Sequence, residues 1–209
     1  MIETIDIRAL TNPITDQQFE QLCAQNQDIK FEMTSQRELI VMSPTGSESG
    51  RQNGNLFGQI WYWNRQNKLG VVFDSSTGFA LPTGAKRSPD VSWIEITRWN
   101  ELTQKQKRGF APIAPDFALE LLSPNDRLLD TQRKMQEYLE CGVKLGWLIY
   151  PDETRVEIYR QGKDVEILNS PISLLGEDLM PGLVVELDEI FNSLFLSAIA
   201  IQLIHYRLL

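Results

Sequence analysis

Histidine is almost absent from this chain of 209 residues, in which His205 stands alone. A Ser-His-Asp triad or a zinc site built from several histidines is therefore not expected, and neither a CxxC nor an HExxH motif occurs. Cysteine is nearly as scarce, because Cys23 and Cys141 are the only two. A disulfide framework is thus not expected, and the sequence predicts a protein of the reducing cytoplasm.

Long hydrophobic runs and an excess of positive charge are also missing. No segment reaches the roughly 18 consecutive apolar residues of a transmembrane helix, and the N-terminus has neither the basic start nor the apolar core of a signal peptide. The chain has 20 Lys and Arg against 28 Asp and Glu, a net charge of −8. This balance argues against binding nucleic acid through bulk charge, but it allows an enzyme with a local basic groove or with carboxylates neutralised by metal.

What is present is the composition of an ordinary globular protein, with 42% hydrophobic and 23% charged residues in a length that suits one domain. Hydrophobic periodicity predicts helices over residues 50–67 and 131–141. A near-continuous apolar run over 117–122 is typical of a central buried strand. With several short strands around these elements, the pattern predicts an α/β or α+β domain with a mixed central β-sheet flanked by helices.

The chain divides into three predicted parts. Residues 1–14 form an N-terminal arm, residues 15–190 a single domain and residues 191–209 an apolar C-terminal helix. We expect that last helix to pack on the protein or to form an oligomer, rather than to anchor the chain in a membrane.

Glu120 interrupts the apolar strand, in which Leu119 and Leu121 are predicted to point to the opposite face. Burying an unpaired carboxylate costs several kcal/mol or forces its protonation, so something must compensate it. One explanation is structural, namely an ion pair or solvent near the strand end at Ser123. The other is functional, a cation that the protein exists to bind.

Asp90 is the second candidate carboxylate, because it follows Pro89 at the start of a strand whose apolar residues, Val91 and Trp93, point to the other face. The pattern alone favours a solvated aspartate at a strand start. A functional interpretation requires that the strand lie beside the one that carries Glu120.

Lys134 completes the set on the predicted helix 131–141, where Asp130, Lys134 and Tyr138 follow one another at i,i+4 spacing. Either Lys134 makes a routine surface pair with Asp130, which contributes ~0.2–0.5 kcal/mol, or its ammonium lies at the helix–sheet interface. From that interface it could reach the strand that carries Glu120.

An Asp on one strand, a Glu on the next apolar strand and a nearby Lys resemble the PD-(D/E)XK nuclease superfamily. Further motifs resemble one bacterial branch, the restriction-endonuclease-like family often called Uma-two. Over about residues 15–190 these motifs are Met42-Ser-Pro-Thr-Gly46, Arg87-Ser-Pro-Asp-Val-Ser-Trp-Ile94, Ala114-Pro-Asp-Phe-Ala-Leu-Glu-Leu-Leu-Ser-Pro124, Lys134 with Tyr138, Gly142-Val143, Gly146-Trp-Leu-Ile149 and Leu179-Met-Pro-Gly182. The usual lysine two residues after the glutamate is Leu122 here, so the resemblance places the lysine on the following helix, at Lys134.

The resemblance implies a restriction-endonuclease-like core and a metal site. Asp90 and Glu120 would bind Mg²⁺ or Mn²⁺, with the backbone carbonyl of Leu121 as a third oxygen, and such hard oxygen ligands suit these cations. The metal would activate water and neutralise charge on the scissile phosphate. Lys134 would orient that water or stabilise the pentavalent state.

Two auxiliary residues are predicted beside this set. Glu48, in the segment before the first core helix, is either an auxiliary acid or a favourable negative charge at a helix N-terminus. Tyr138 is expected in the core with its hydroxyl at the edge of the site.

The leading hypothesis is a metal-dependent endonuclease that hydrolyses phosphodiester bonds in nucleic acid, with DNA as the expected partner, and that forms a homodimer. Leu122 and the acidic composition favour an alternative, a nuclease-fold module that has lost catalysis and serves in binding or assembly. A third hypothesis uses Asp90 and Glu120 as the acid and base of a glycosidase, but no sugar-stacking cleft is indicated.

Overall fold

A computed structural model describes residues 13–124 and 126–191, which form six α-helices and twelve β-strands. The helices are α1 (Asp16–Gln25), α2 (Ser47–Asn67), α3 (Ile96–Glu101), α4 (Gln104–Lys107), α5 (Leu128–Glu140) and α6 (Asp188–Phe191). The strands are β1 (Lys30–Met33), β2 (Leu39–Met42), β3 (Gly70–Asp74), β4 (Phe79–Ala80), β5 (Lys86–Arg87), β6 (Val91–Glu95), β7 (Phe117–Leu121), β8 (Leu145–Tyr150), β9 (Arg155–Arg160), β10 (Glu166–Asn169), β11 (Ser173–Leu175) and β12 (Val184–Glu186).

The largest sheet has six strands in the order β10-β9-β8-β7-β6-β3. It is mixed, because β7 and β8 are parallel while the other neighbours are antiparallel. Parallel neighbours need a crossover connection, and α5 supplies it between β7 and β8. All five residues of β7 are buried, as expected for a strand covered on both faces. The predicted fold, a mixed central sheet flanked by helices, is confirmed.

Alternate residues of β7 serve two different cores. Phe117, Leu119 and Leu121 belong to the cluster that contains Leu56 and Ile60 of α2. Ala118 belongs to the cluster on the other face, which contains Met135 and Tyr138 of α5. The face that carries Glu120 is therefore the one that α5 covers.

A second sheet of four strands, β2-β1-β5-β4, was not apparent from the sequence. Its strand β5 is followed after only three residues by β6 of the large sheet. The short link Ser88-Pro89-Asp90 therefore ties the two sheets together, and it carries one of the predicted site residues.

The two predicted helices begin earlier than expected, and a further helix, α1, begins with a capping motif. A capping box begins α1, where the Gln18 N–H donates to the Thr15 hydroxyl at 3.2 Å and the Thr15 N–H donates to the Gln18 side chain at 2.9 Å. In contrast, α2 begins at Ser47 instead of 50, and α5 begins at Leu128 instead of 131. The extra turn of α2, Ser47–Ser49, has no apolar residue and gives no periodic signal, whereas that of α5 begins with Leu128, which packs against the core.

Two predicted parts lie almost wholly outside the described residues, namely the N-terminal arm at 1–14 and the apolar helix at 191–209. Among residues 13–124 and 126–191, no helix combines the length and the apolar character needed to cross a membrane.

Candidate active site

The two predicted carboxylates lie on neighbouring strands. The antiparallel register pairs Val91 of β6 with Leu119 of β7 and Ser92 with Ala118. Extending it by one residue places Asp90 directly opposite Glu120, and residues in that relation have Cβ atoms about 4.5–5.5 Å apart. The prediction that these strands are neighbours is confirmed.

The dipeptide Pro89-Asp90 lies next to Leu121, just before β6 begins. The Leu121 N–H donates to Oδ2 of Asp90 at 2.8 Å, so this carboxylate takes the place of a ladder acceptor. A residue's N–H and C=O point to the same side of a strand, so the Leu121 carbonyl also points toward this link. Pro89, which the extended register places opposite Leu121, has no N–H to donate to it. A carboxylate and a backbone carbonyl thus meet at the end of β6.

Helix α5 brings Lys134 and Tyr138 over Glu120. The Lys134 ammonium lies 2.9 Å from Oε1 of Glu120, and the Tyr138 hydroxyl donates to the same oxygen at 2.8 Å. The interpretation of Lys134 as a partner of Asp130 is wrong. Asp130 instead lies 3.7 Å from Arg127 and 3.4 Å from Arg133, which stand at i,i+3 spacing on the solvent side of the helix.

Glu32 of β1 is a member of this site that the sequence analysis missed. Its side chain is 3% exposed, and its Oε1 accepts from the Lys134 ammonium at 3.0 Å and from the Ser88 N–H at 2.9 Å. Its Oε2 lies 3.2 Å from Arg87. The available signal was a charged residue between Phe31 and Met33, which fits a solvent-facing strand position equally well.

Arg87 of β5 and Glu137 of α5 extend the cluster away from Glu120. The Arg87 guanidinium donates through Nε to Oε2 of Glu137 at 2.6 Å, and both side chains are nearly buried. Negative and positive groups therefore alternate along a row of ion pairs that joins α5, β5, β1 and β7. Their order is Glu137, Arg87, Glu32, Lys134 and Glu120, with Glu137 and Lys134 both on α5. Neither Arg87 nor Glu137 was predicted as part of a site.

The environment moves several pKa values in this cluster. Burial raises the pKa of Glu120 to about 7, with Lys134 opposing the shift and the carboxylates of Asp90 and Glu32 adding to it. Burial also raises the pKa of Asp90, although the Leu121 N–H opposes this. For Glu32, burial is outweighed by Lys134 and Arg87, so its pKa lies below the usual value.

Two groups on α5, the ammonium of Lys134 and the phenol of Tyr138, have raised pKa values. Burial disfavours the Lys134 ammonium, but the surrounding carboxylates of Glu120, Glu32 and Asp90 outweigh it and raise the pKa of Lys134. Burial, followed by the charges of Glu120 and Glu32, raises the pKa of Tyr138. Lys134 is thus a permanent cation, and Tyr138 is a permanent hydrogen-bond donor.

One oxygen of each predicted ligand carboxylate is left open. Among residues 13–124 and 126–191, no hydrogen bond or ion pair engages Oδ1 of Asp90 or Oε2 of Glu120, since the other oxygen of each carries the contacts described above. Together with the Leu121 carbonyl, these atoms form a donor set of hard oxygens. Mg²⁺ and Mn²⁺ prefer such oxygens, and Mg²⁺ commonly binds through one or two carboxylates while it keeps several waters. The residues therefore fit a divalent cation.

The described residues contain no group of three His, Cys, Asp or Glu side chains arranged to hold a metal ion. The donor set at Asp90 and Glu120 has two such side chains and depends on a backbone carbonyl for its third oxygen.

Glu48 lies apart from the cluster, in the first turn of α2. Its carboxylate lies 2.6 Å from Arg51 and is about half exposed. The same helix end approaches the strand of Glu120, because the hydroxyls of Ser49 and Ser123 are 3.5 Å apart. The structure thus places Glu48 near the end of β7 without a contact to the buried carboxylates.

An open cleft of about 1110 Å³ reaches the cluster from solvent. Its walls are α5, the β1–β2 hairpin and the outer strands β9 and β10, and its lining includes Glu32, Arg87, Lys134 and Glu137. The side chain of Lys134 is 12% exposed and lines this cleft, whereas Glu120, which is 8% exposed, contacts Lys134 without lining the cleft itself.

Comparison with known proteins gives one matching family and similar solved structures, five chains in all. The model of the family Uma2, described as "Putative restriction endonuclease", matches residues 16–188. A crystal structure of "a putative nuclease belonging to DUF820" from Anabaena variabilis is similar, with a TM-score of 0.66 and 19% sequence identity over 87% of this chain and 92% of that one. No curated protein matches this chain.

Proposed function

This chain belongs to the Uma2 family of restriction-endonuclease-like proteins, and from that premise we propose that it is a metal-dependent endonuclease that hydrolyses phosphodiester bonds in DNA. The observation that carries the proposal is that Lys134, which lines the open cleft, pairs with Glu120 beside the strand end where Asp90 lies. Two open carboxylate oxygens lie there beside a fixed ammonium, which is a suitable arrangement for a phosphate and a cation.

The charge of the buried cluster supports a divalent ion. Three carboxylates, Glu32, Glu120 and Glu137, share the two cations Arg87 and Lys134 in direct ion pairs. Asp90 adds a fourth carboxylate, on which Lys134 and Lys30 act, so carboxylates outnumber cations in this cluster. Burial, together with the neighbouring carboxylates, raises the pKa of Glu120 in the metal-free protein. One Mg²⁺ or Mn²⁺ would compensate the excess of negative charge.

Each residue has a separate role in this proposal. Asp90, Glu120 and the Leu121 carbonyl would hold the ion, which would supply Lewis-acid stabilisation of the phosphate and lower the pKa of a water. Lys134 would place its ammonium beside the reacting phosphate, where negative charge develops in the transition state. Tyr138 would keep one oxygen of Glu120 hydrogen-bonded and so orient the other toward the ion.

Glu48 stays a proposed auxiliary acid, because the end of α2 that carries it lies beside the end of β7. DNA as the substrate, a homodimeric state and a cytoplasmic location remain proposals from the sequence. Ultracentrifugation of the full chain will test the dimer, and the comparison of DNA with RNA substrates will test the choice of nucleic acid.

The cleavage assay uses plasmid and short duplex DNA with Mg²⁺ or Mn²⁺, and it compares native protein with Glu120→Ala and Lys134→Ala. We expect both variants to lose cleavage, while only Glu120→Ala also loses metal binding. Arg133→Ala is the matched control, since Arg133 is the exposed neighbour of Lys134 on the same helix. Full activity of Lys134→Ala would contradict the role given to that lysine.

A metal titration followed by thermal unfolding tests the ion site directly. Mg²⁺ or Mn²⁺ should raise the melting temperature of the native protein and do little for Asp90→Ala, because a ligand stabilises only the folded state that binds it. Equal shifts in both proteins would place the ion elsewhere.

The second candidate function is a nuclease-fold module without catalysis, which serves in binding or assembly. Leu122 favours it, since this chain lacks a lysine at the usual position on the strand. Native protein that binds the metal ion but cleaves neither DNA nor RNA would support this function and overturn the enzymatic one.

A further inference from the structure

Glu32 contacts Lys134 but lies outside the donor set of the proposed metal site. Both of its oxygens are already occupied, Oε1 by the Ser88 N–H and the Lys134 ammonium, and Oε2 by Arg87. Because Arg87 is also bound by Glu137, the position of Glu32 is fixed from the β5 side of the cleft. Each oxygen of Glu32 thus already faces a cation, and Glu32 is one of the two carboxylates that hold the lysine.

Binding of a divalent ion changes the balance at Lys134. In the metal-free protein the ammonium is shared between Glu120, at 2.9 Å, and Glu32, at 3.0 Å. An ion on the open oxygen of Glu120 takes over much of the negative charge of that carboxylate, and the ion itself repels the ammonium. The attraction between Glu120 and Lys134 would then be weaker when Lys134 is needed beside the reacting phosphate.

We infer that Glu32 is a positioning residue that retains Lys134 beside the reacting phosphate once Glu120 has bound the metal ion. This inference rests on the proposed function. Arg87 and Ser88 anchor Glu32, and they precede Asp90 in the chain by only three and two residues. One short segment thus fixes both the aspartate of the metal site and the carboxylate that holds the lysine.

A double-mutant cycle on metal binding tests whether Glu32 acts through Lys134. Calorimetry with Mn²⁺ alone compares native protein, Glu32→Gln, Lys134→Met and the double variant. We expect Glu32→Gln to weaken Mn²⁺ binding by about tenfold in the native background, as is usual for outer-shell partners of a metal site. In the Lys134→Met background the same change should have almost no effect, because no ammonium remains to be displaced.

A simple loss of one negative charge near the ion predicts a different pattern. Glu32→Gln would then weaken Mn²⁺ binding by the same factor with and without Lys134. That additive result would overturn the inference.

Cleavage kinetics give a second readout that also serves if Lys134→Met does not fold. We expect Glu32→Gln to lower kcat by about 10–100-fold with KM nearly unchanged, because the ammonium would be misplaced only in the transition state. Asp16→Asn is the matched structural control. Asp16 pairs with Lys86, a buried cation that is adjacent to Arg87 in β5 but does not contact Lys134.

The control should lower the melting temperature without changing kcat. Equal losses of kcat in Glu32→Gln and Asp16→Asn would reduce Glu32 to a structural residue and overturn the inference.

The outcomes separate this inference from the proposed function. Native protein that cleaves DNA and shows an additive cycle keeps the function and loses the inference. Native protein that binds Mn²⁺ with a coupled cycle but cleaves no nucleic acid loses the function, while the placement of Lys134 by Glu32 stands. Native protein that binds no Mn²⁺ overturns both.

Discussion

Asp116 and Glu120 are buried carboxylates at opposite ends of the same strand, yet they are compensated in different ways. Asp116 is fully buried and lies 2.8 Å from Arg98 and 2.9 Å from Lys144, and it also accepts from the Glu95 N–H at 2.9 Å. Burial alone would raise the pKa of Asp116, but these three partners outweigh it and lower the pKa. At the other end, burial prevails and the pKa of Glu120 rises to about 7.

The difference teaches how to recognise a functional carboxylate in this fold. Two cations serve one carboxylate at the Asp116 end, whereas at the Glu120 end Arg87 and Lys134 are shared among three carboxylates. Where positive charge is sufficient, the buried acid stabilises the fold. Where it is insufficient, the site is incomplete without a ligand from solution, which is the basis of the proposed ion site.

The largest expected effect is on cleavage, which should separate the two ends of β7. Glu120→Gln should lower the cleavage rate by about 10³-fold, because it removes charge that stabilises the ion and hence the transition state. Asp116→Asn should leave the rate per folded molecule close to native. The measurement is plasmid cleavage with Mg²⁺ under single-turnover conditions, and similar losses in both variants would remove the distinction between the two ends.

The next effect is on the free energy of unfolding, where Asp116→Asn should have a larger effect than Glu120→Gln. Asp116→Asn should lower the free energy of unfolding by about 2 kcal/mol, since two charge-assisted contacts are lost from a buried site. Glu120→Gln should change it by less than about 1 kcal/mol, because Lys134 keeps Glu32 as a partner and an excess negative charge is removed. Urea unfolding of the metal-free proteins at neutral pH measures both values.

A greater loss of stability in Glu120→Gln than in Asp116→Asn would contradict this order. It would mean that the Glu120 end is compensated as fully as the Asp116 end.

A smaller effect is expected in the pH dependence of the metal-free protein. The folded pKa of Glu120 is raised from 4.5 to about 7, so the folded state binds more protons than the unfolded state between these values. Stability should therefore fall as the pH rises through this window. Asp116 acts in the opposite sense, because its lowered pKa stabilises the protein above its unfolded value and this contribution is lost in acid.

Thermal unfolding between pH 4.5 and 8 checks the sign, with Glu120→Gln as the control in which the fall should be smaller, since only the raised pKa of Asp90 still contributes to it. Saturating Mg²⁺ should remove the fall as well, because the ion binds the ionised carboxylates. A native melting temperature that rises steadily from pH 5 to 8 without metal would contradict the assignment.

The smallest expected effect concerns Glu48, which lies near the Glu120 end but is exposed. Glu48→Gln should lower cleavage by no more than about fivefold, since an exposed carboxylate paired with Arg51 is screened by solvent. Steady-state cleavage by the two proteins tests this. A loss as large as that of Glu120→Gln would bring Glu48 into the ion site itself.

The Glu120 end of β7 could be predicted in part because it departs from the apolar pattern of a buried strand. A carboxylate inside an apolar strand is visible in the sequence, and Lys134 and Tyr138 have the helical spacing that places both on one side of α5. The pairing of the strands that carry Asp90 and Glu120 was predicted from the order strand, strand, helix and from the apolar flank of that helix. The match to the Uma2 model confirms the family resemblance.

Glu32 and Arg87 could not be predicted, because their role depends on contacts between distant parts of the chain. Glu32 lies 102 positions from Lys134 and 55 positions from Arg87. Each is a single charged residue in a short strand, and nothing local distinguishes it from one that faces solvent. The second sheet that carries both was likewise hidden, since strands of two to four residues give little periodic signal.

The alternating order of charges from Glu137 to Glu120 limits how this protein can be altered or can have diverged. Neutralising or inverting any interior member removes one partner from each of its two neighbours, so a single replacement there breaks two contacts at once. Acceptable change must come as coordinated replacements of adjacent members. A mutant library that varies these positions one at a time will therefore describe them as immutable, whereas a library that varies adjacent pairs can find the alternatives.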